Sequence, residues 1–260
     1  MFSHWTKLYQ YRDLLWLWIL REIQVRYKQS LLGIAWAVLQ PLALTVVFTI
    51  VFSRLVQIDT DGIPYPVFAY VALVPWTFFS TSLNFGTASL VNNMNLVTKI
   101  YFPREILPLA SVGAAFADFL ISAVILAGMM LLYGIELRWT GLWIAPLLML
   151  QIALTIAVVL LGSAFLVFFR DVRFVMPLLT QVWMYATPII YPAARVPAQF
   201  RALYFLNPMA GVIDGYRRVL LLGESPLSDA LLPGSIVTLT LLIFGYVAFK
   251  RSEPIFADLI

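Results

Sequence analysis

Apolar positions in this chain run in long unbroken blocks rather than alternating with polar ones. Six blocks, at 33–53, 66–90, 106–133, 142–169, 174–190 and 231–249, are separated by short polar connections. A bilayer core of about 30 Å takes about 20 helical residues to cross. The pattern therefore predicts an all-α integral membrane protein with six transmembrane helices at these positions. The remaining organisation is a tail and interface helix over 1–30 and a single transmembrane domain over 31–260.

Two further segments are apolar but too broken to span. The run at 14–20, LLWLWIL, is followed by Arg21, Glu22, Arg26 and Lys28 rather than by a small-residue cleavage site, which excludes a signal peptide. Leu15, Ile19, Ile23 and Tyr27 recur every four residues, with Arg21, Gln24 and Lys28 on another face. That spacing predicts an amphipathic helix in the interface, with Trp16 and Trp18 at headgroup depth; the alternative is a cytoplasmic extension of the first span. The stretch 191–228 carries short apolar clusters interrupted by Pro192, Pro197 and Asn207-Pro208. It reads as one or two short helices, over about 198–223, dipping back into the outer leaflet to cap or line an exit. The backbone should turn at Asn207-Pro208, because Pro208 fixes its own φ and biases Asn207 away from helix. Within the spans, Pro41 frees a carbonyl that a neighbouring helix must satisfy. The polar-small run 80–89, STSLNFGTAS, should face helices or water rather than lipid, and Gly211 and Gly215 have the spacing for close helix approach.

Composition narrows the chemistry. The chain is 62% hydrophobic and 12% charged, about half the charge share of soluble domains. Cysteine is absent and His4 is the single histidine, which excludes disulfides, thiolate metal sites and a histidine triad. No phosphate loop, H-E-x-x-H or G-x-S-x-G occurs. With both termini on one side, Lys7, Arg12, Arg21, Arg26, Lys28, Lys99, Arg104, Arg170, Arg173, Lys250 and Arg251 fall on that side. Arg54, Arg138, Arg195, Arg201, Arg217 and Arg218 fall on the other, eleven against six. Basic loops stay in the cytoplasm, so both termini should be cytoplasmic. The basic balance thus reflects topology rather than nucleic acid. Asp118 is the one acid well inside a span and so a candidate functional acid; a pump would have several, which favours the alternative that it is hydrogen-bonded between helices, with Ser111 and Ser122 nearby in the helix.

On the cytoplasmic side, 91–105 (VNNMNLVTKIYFPRE) is the longest polar segment, yet it carries Leu96, Ile100, Tyr101 and Phe102. A short helix docking into a protein groove would use such residues as anchors. The turn 168–174, FFRDVRF, places Arg170, Asp171 and Arg173 on the same surface, either as a structural pair or as a further partner contact.

With these segments in hand, the chain resembles the membrane subunit of type-2 ABC exporters, the permeases that export O-antigen, teichoic acid and related polysaccharides. The resemblance is carried by REIQVRYKQSLLGIAWAVLQPL (21–42), LVPWTFFSTSL (73–83), NLVTKIYFPREILPL (95–109), FFRDVRF (168–174), TPIIYP (187–192), FLNP (205–208) and FKRSEPIFADLI (249–260). It implies a coupling segment in the second-to-third-span loop, with Asn95, Leu96, Lys99, Tyr101, Phe102, Arg104 and Glu105 transmitting force from an ATPase. It implies two copies of this chain with two separate ABC ATPase subunits, which would hold the ATP and magnesium; this chain would bind no cofactor. It places the chain in the bacterial inner membrane. A lipid-linked glycan would meet Arg21, Arg26 and Lys28 through its phosphates. Sugar rings would stack along a path for which Trp36, Tyr70, Trp76, Phe79, Trp183 and Tyr185 are candidates. Rival readings are a type-2 exporter of a small molecule or of a teichoic acid or capsule polymer, and a passive channel or scaffold; the apolar loop 96–102 argues against the last.

Overall fold

The computed structural model describes residues 11–60, 62–227 and 230–259; His4, Lys7 and the rest of the tail to residue 10 lie outside them, as does the end of the outer segment at 228. Among the described residues every regular element is helical. In chain order these are α1 (Arg12–Tyr27), α2 (Trp36–Phe48, prolonged by a π-helical turn Thr49–Leu55), α3 (Tyr65–Asn92), α4 (Met94–Lys99) and α5 (Ile106–Leu132). They continue with α6 (Ile144–Phe168), α7 (Val172–Tyr185), α8 (Ala198–Tyr204), α9 (Pro208–Arg217, prolonged by Arg218–Leu222), α10 (Leu231–Ser252) and α11 (Phe256–Leu259).

Among the described residues, five helical segments are long and apolar enough to cross a membrane: Gly33–Leu55, Tyr65–Asn92, Ile106–Leu132, Trp139–Phe168 and Leu231–Ile255. The expected span at 174–190 is not one long helix. α7 has 14 residues, about 21 Å of helix, short of a bilayer core. It ends before Pro188, which has no N–H to donate and disfavours helix at Thr187. The chain then continues through turns that are buried from Thr187 to Ile190. Even so the segment runs the length of α3. Arg173 donates to Asn92 at 3.2 Å near one end of α3, and Tyr65 donates to the Ile190 carbonyl at 2.9 Å at the other.

α3 is the axis of the bundle, packed against α2, α5, α6, α7 and α9. A helix apolar all round belongs in a core, and Tyr70, Leu73, Phe79 and Leu83 are fully enclosed. Two polar groups inside the bundle are satisfied across helices. Pro41 cannot bond the Ala37 carbonyl, and Ser122 of α5 donates to it instead at 2.9 Å. Gln151 of α6 donates to the Pro75 carbonyl at 2.7 Å and accepts from Tyr216 of α9 at 3.1 Å, tying three helices together. Close approach uses glycine: a Cβ at Gly211 would sit 2.7 Å from the Ala230 carbonyl oxygen, and one at Gly245 would sit 2.8 Å from that of Ala157.

α1 lies along α5. Its less exposed residues (14, 15, 18, 19, 22, 23, 26 and 27) follow a helical period, and Trp16 stays exposed. Leu14, Leu15 and Trp18 pack on a second apolar cluster that includes Leu90, Val97, Phe102, Ile106, Phe249 and Phe256. α1, α4 and the C-terminal helix therefore share one end of the bundle.

Candidate functional site

The end of the bundle that carries α4 holds the expected coupling residues, and folding divides them in two. α4 rests on Val97, which is buried, while Asn95 and Lys99 point outward and Leu96 is half-buried. Beyond the helix, Tyr101 is 92% exposed and Phe102 only 9%. Residues adjacent in an extended segment point to opposite sides, so Phe102 fills the apolar cluster while Tyr101 stands free. Arg104 and Glu105 are also turned inward. The Arg104 backbone N–H donates to Glu253 Oε1 at 2.9 Å, and its guanidinium reaches the Glu253 carbonyl. Glu105, 2% exposed, is paired with Lys250. Phe102, Arg104 and Glu105 are thus internal anchors, and Asn95, Lys99 and Tyr101 form the free surface.

The basic residues of α1 also separate. Arg21 is exposed, lies over the Trp18 ring at 4.3 Å and donates to Asn93 at 3.1 Å. Lys28 is exposed at the helix end. Arg26, expected to meet the phosphates of a lipid-linked glycan, turns into the bundle and pairs with Asp118 at 2.5 Å. Tyr27 donates to the same carboxylate at 2.7 Å. Burial, and then the Asp118 carboxylate, raise the Tyr27 phenol above its ordinary pKa, so it remains a donor. Asp118 therefore ties α1 to α5. The serines that sequence spacing offered as partners bond carbonyls instead, Ser111 that of Leu107 and Ser122 that of Ala37. Beside the ion pair is a cavity of about 260 Å³ lined by Arg26, Trp36, Gln40, Thr77, Thr81 and Ser122, among others; Arg26 Nη2 is buried there without a hydrogen-bond partner.

The six aromatic path candidates are not equivalent. Tyr70, Trp76 and Phe79 are core residues of α3 and face no open path within the chain. Phe79 meets the Trp183 ring edge-on at 5.0 Å. Trp183 is half-buried, and its indole N–H is committed to Asn207 at 2.7 Å. Trp36 and Tyr185 are exposed.

At the opposite end, two residues organise the non-helical backbone. Asn207 caps α9 by accepting from the Met209 N–H at 3.1 Å, and Pro208 occupies the first helical position. The Asn207 amide also donates to the Ala186 carbonyl at 3.2 Å and to Thr187 Oγ1 at 3.0 Å. One side chain thus starts α9 and locks it to the end of α7. Asn207→Leu should remove the cap and these cross-links, costing about 2 kcal/mol. A thermal-unfolding midpoint unchanged from the parent protein would contradict that role.

Arg217 was counted from the sequence as an outer-loop charge, but it is 6% exposed. It donates to the carbonyls of Phe68 (3.3 Å), Ile189 (2.6 Å), Tyr191 (3.1 Å) and Pro188, and lies 3.5 Å over the Phe68 ring. The turns after α7 are the non-helical backbone that needs such a donor. The sequence signal was the proximity of an arginine pair to a Pro-broken apolar run, and charge counting by side obscures it. Gln151 was likewise overlooked, although it is the one polar amide in the apolar run of α6.

The chain matches the family described as "ABC-2 type transporter" over residues 13–221. It is 30% identical to the O-antigen export system permease protein RfbA of Myxococcus xanthus, over 97% of both chains. It is 26% identical to the protein of the same name from Klebsiella pneumoniae over 92% of both, and 23% identical to the polysialic acid transport protein KpsM of Escherichia coli over 90% of this chain and 91% of that one.

Proposed function

Because this chain belongs to the ABC-2 type transporter family, we propose that it is the permease subunit of an exporter carrying a lipid-linked, O-antigen-like polysaccharide outward across a bacterial inner membrane, driven by ATP hydrolysis on a separate subunit. Two copies form the path, and each seats one ATPase. The relatives that match nearly end to end are named for O-antigen export and polysialic acid transport.

The observation that carries the reading is Tyr101. A large aromatic left 92% exposed, beside a short helix whose flanks are fixed to the bundle, has the form of an anchor for a protein groove. Asn95 and Lys99 rim it with polar contacts. Arg21 on the same end of the molecule, and Lys28 at the far end of α1, meet the phosphates of the lipid-linked cargo by charge. Arg26 serves a different purpose, holding α1 against α5 through Asp118. Trp36 and Tyr185 offer the exposed aromatic faces against which sugar rings slide.

In this reading α4 faces the cytoplasm, both termini lie there too, and α8 with the start of α9 lies at the outer leaflet. The absence of native cysteine makes the arrangement testable with single introduced thiols. Ser225→Cys should react with an impermeant thiol reagent applied from outside, and Thr98→Cys only after the membrane is opened. Labelling of Thr98→Cys in intact cells would reverse the orientation. The function itself is tested by co-expressing the chain with an ABC ATPase subunit from the same organism. Retention of the ATPase by the tagged permease and surface display of polymer dependent on both would bear it out. Polymer export that persists with a hydrolysis-dead ATPase would leave a passive channel in its place.

A further inference from the structure

The docking surface is joined to the last span by a set of buried charges that the proposed function does not use. Glu105, at the start of α5, pairs with Lys250 near the end of α10. Lys250 also bonds Glu253 at 2.9 Å. Glu253 in turn accepts from the Arg104 backbone N–H at 2.9 Å, and its carbonyl accepts from the Arg104 guanidinium. The same guanidinium reaches back to the Val97 carbonyl of α4 at 3.5 Å. Three charged side chains, Glu105, Lys250 and Glu253, are thus linked directly, and Arg104 joins them to the docking helix through backbone groups. The chain then folds back: Phe256 meets Phe249 and Phe168 edge-on at 5.3 and 6.3 Å, and α11 packs on α4.

A surface ion pair would be worth little, but this set is largely withdrawn from water. Buried charges are an expensive way to stabilise a fold, because apolar replacements of similar shape are often neutral or better. Their distinctive property is directional, stiff connection between two specified partners. α10 is the least enclosed of the five long helices and packs along α6 and α9.

We propose that Glu105, Lys250, Glu253 and Arg104 form a clasp that transmits movement of the docking helix to the last span, making them positioning residues for transport. The inference rests on the permease reading above. Its test uses the intact complex of permease and ATPase, reconstituted or in cells, with three separate readouts: ATPase subunit retained, ATP hydrolysed and polymer exported. The double variant Glu105→Gln with Lys250→Met removes the charge link at its most buried point and leaves the partly exposed Glu253 carboxylate with the Arg104 N–H. It should retain the ATPase subunit and its hydrolysis, while polymer exported per ATP falls at least about tenfold. Lys250→Arg, which keeps the charge, should preserve the parent ratio. Should the double variant fail to fold, Glu253→Gln cuts one arm of the clasp at its partly exposed edge and should lower the same ratio. An unchanged ratio in whichever of these neutral variants folds overturns the clasp. Failure of the parent chain to retain an ATPase at all would instead overturn the permease reading, so the two failures are distinguishable.

Discussion

Arg217→Ala is expected to unfold the outer end of the bundle. The guanidinium has five N–H groups, and the structure directs them at four backbone carbonyls: those of Phe68, Pro188, Ile189 and Tyr191. Three of these lie in the turns that complete the passage begun by α7, where no helical partner exists. Each carbonyl left buried without a donor costs about 1–3 kcal/mol. The three in the turns together approach the total stability of about 5–15 kcal/mol typical of a folded domain, while the Phe68 carbonyl keeps its place in the α3 helix. Lysine should not rescue the site, because three donors on one nitrogen cannot reproduce a planar five-donor fork. The neighbouring Arg218 supplies the contrast. It is partly exposed and paired with Asp214 at 2.8 Å, so Arg218→Ala should cost only about 0.5 kcal/mol. The check is thermal loss of the monodisperse detergent-solubilised protein. Arg217→Ala should not survive extraction as a single species, whereas Arg218→Ala should melt near the parent. Native-like melting of Arg217→Ala would show that those carbonyls do not depend on it.

The long helices were legible because run length and the thickness of a bilayer leave little choice of structure. The packing side of α1 was legible from its period, and the break at Asn207-Pro208 from proline stereochemistry. What escaped depends on which neighbour a residue meets. The run 174–190 is apolar throughout, so it reads as a span even though Pro188 ends its helix early. Loop charges are assigned by side, so Arg217 was placed in water when its partners are carbonyls more than 25 positions away along the chain. The aromatics of α3 looked like path residues because composition alone does not distinguish a central helix from a lining one. Asp118 was legible as an interhelical hydrogen-bonding group, but its partners Arg26 and Tyr27 come from a helix about 90 residues earlier. Local spacing, which suggested serines, does not reach that far.

Tyr101 and Phe102 form the sharpest test of how the coupling segment divides. They are neighbours of similar size, and the sequence gives no reason to treat them differently. The fold turns one outward and one inward, 92% against 9% exposed. Tyr101→Ala removes almost nothing from the packed bundle, so stability should change by no more than about 0.5 kcal/mol. If the ring anchors the ATPase, its loss should cost about 2 kcal/mol of interface energy, which is about a thirtyfold fall in affinity for that subunit. Phe102→Ala should do the reverse. It opens a cavity among Val97, Ile106 and Phe256 and should destabilise the permease by about 3–5 kcal/mol. Tyr101→Phe keeps the ring and should bind the ATPase nearly as the parent does. The measurements are the melting midpoint of each isolated variant and the affinity of the ATPase subunit for it in detergent. Normal affinity in Tyr101→Ala would remove the anchor and return α4 to the status of a connecting helix. Normal melting in Phe102→Ala would mean that the inward ring is not what holds the docking surface in place.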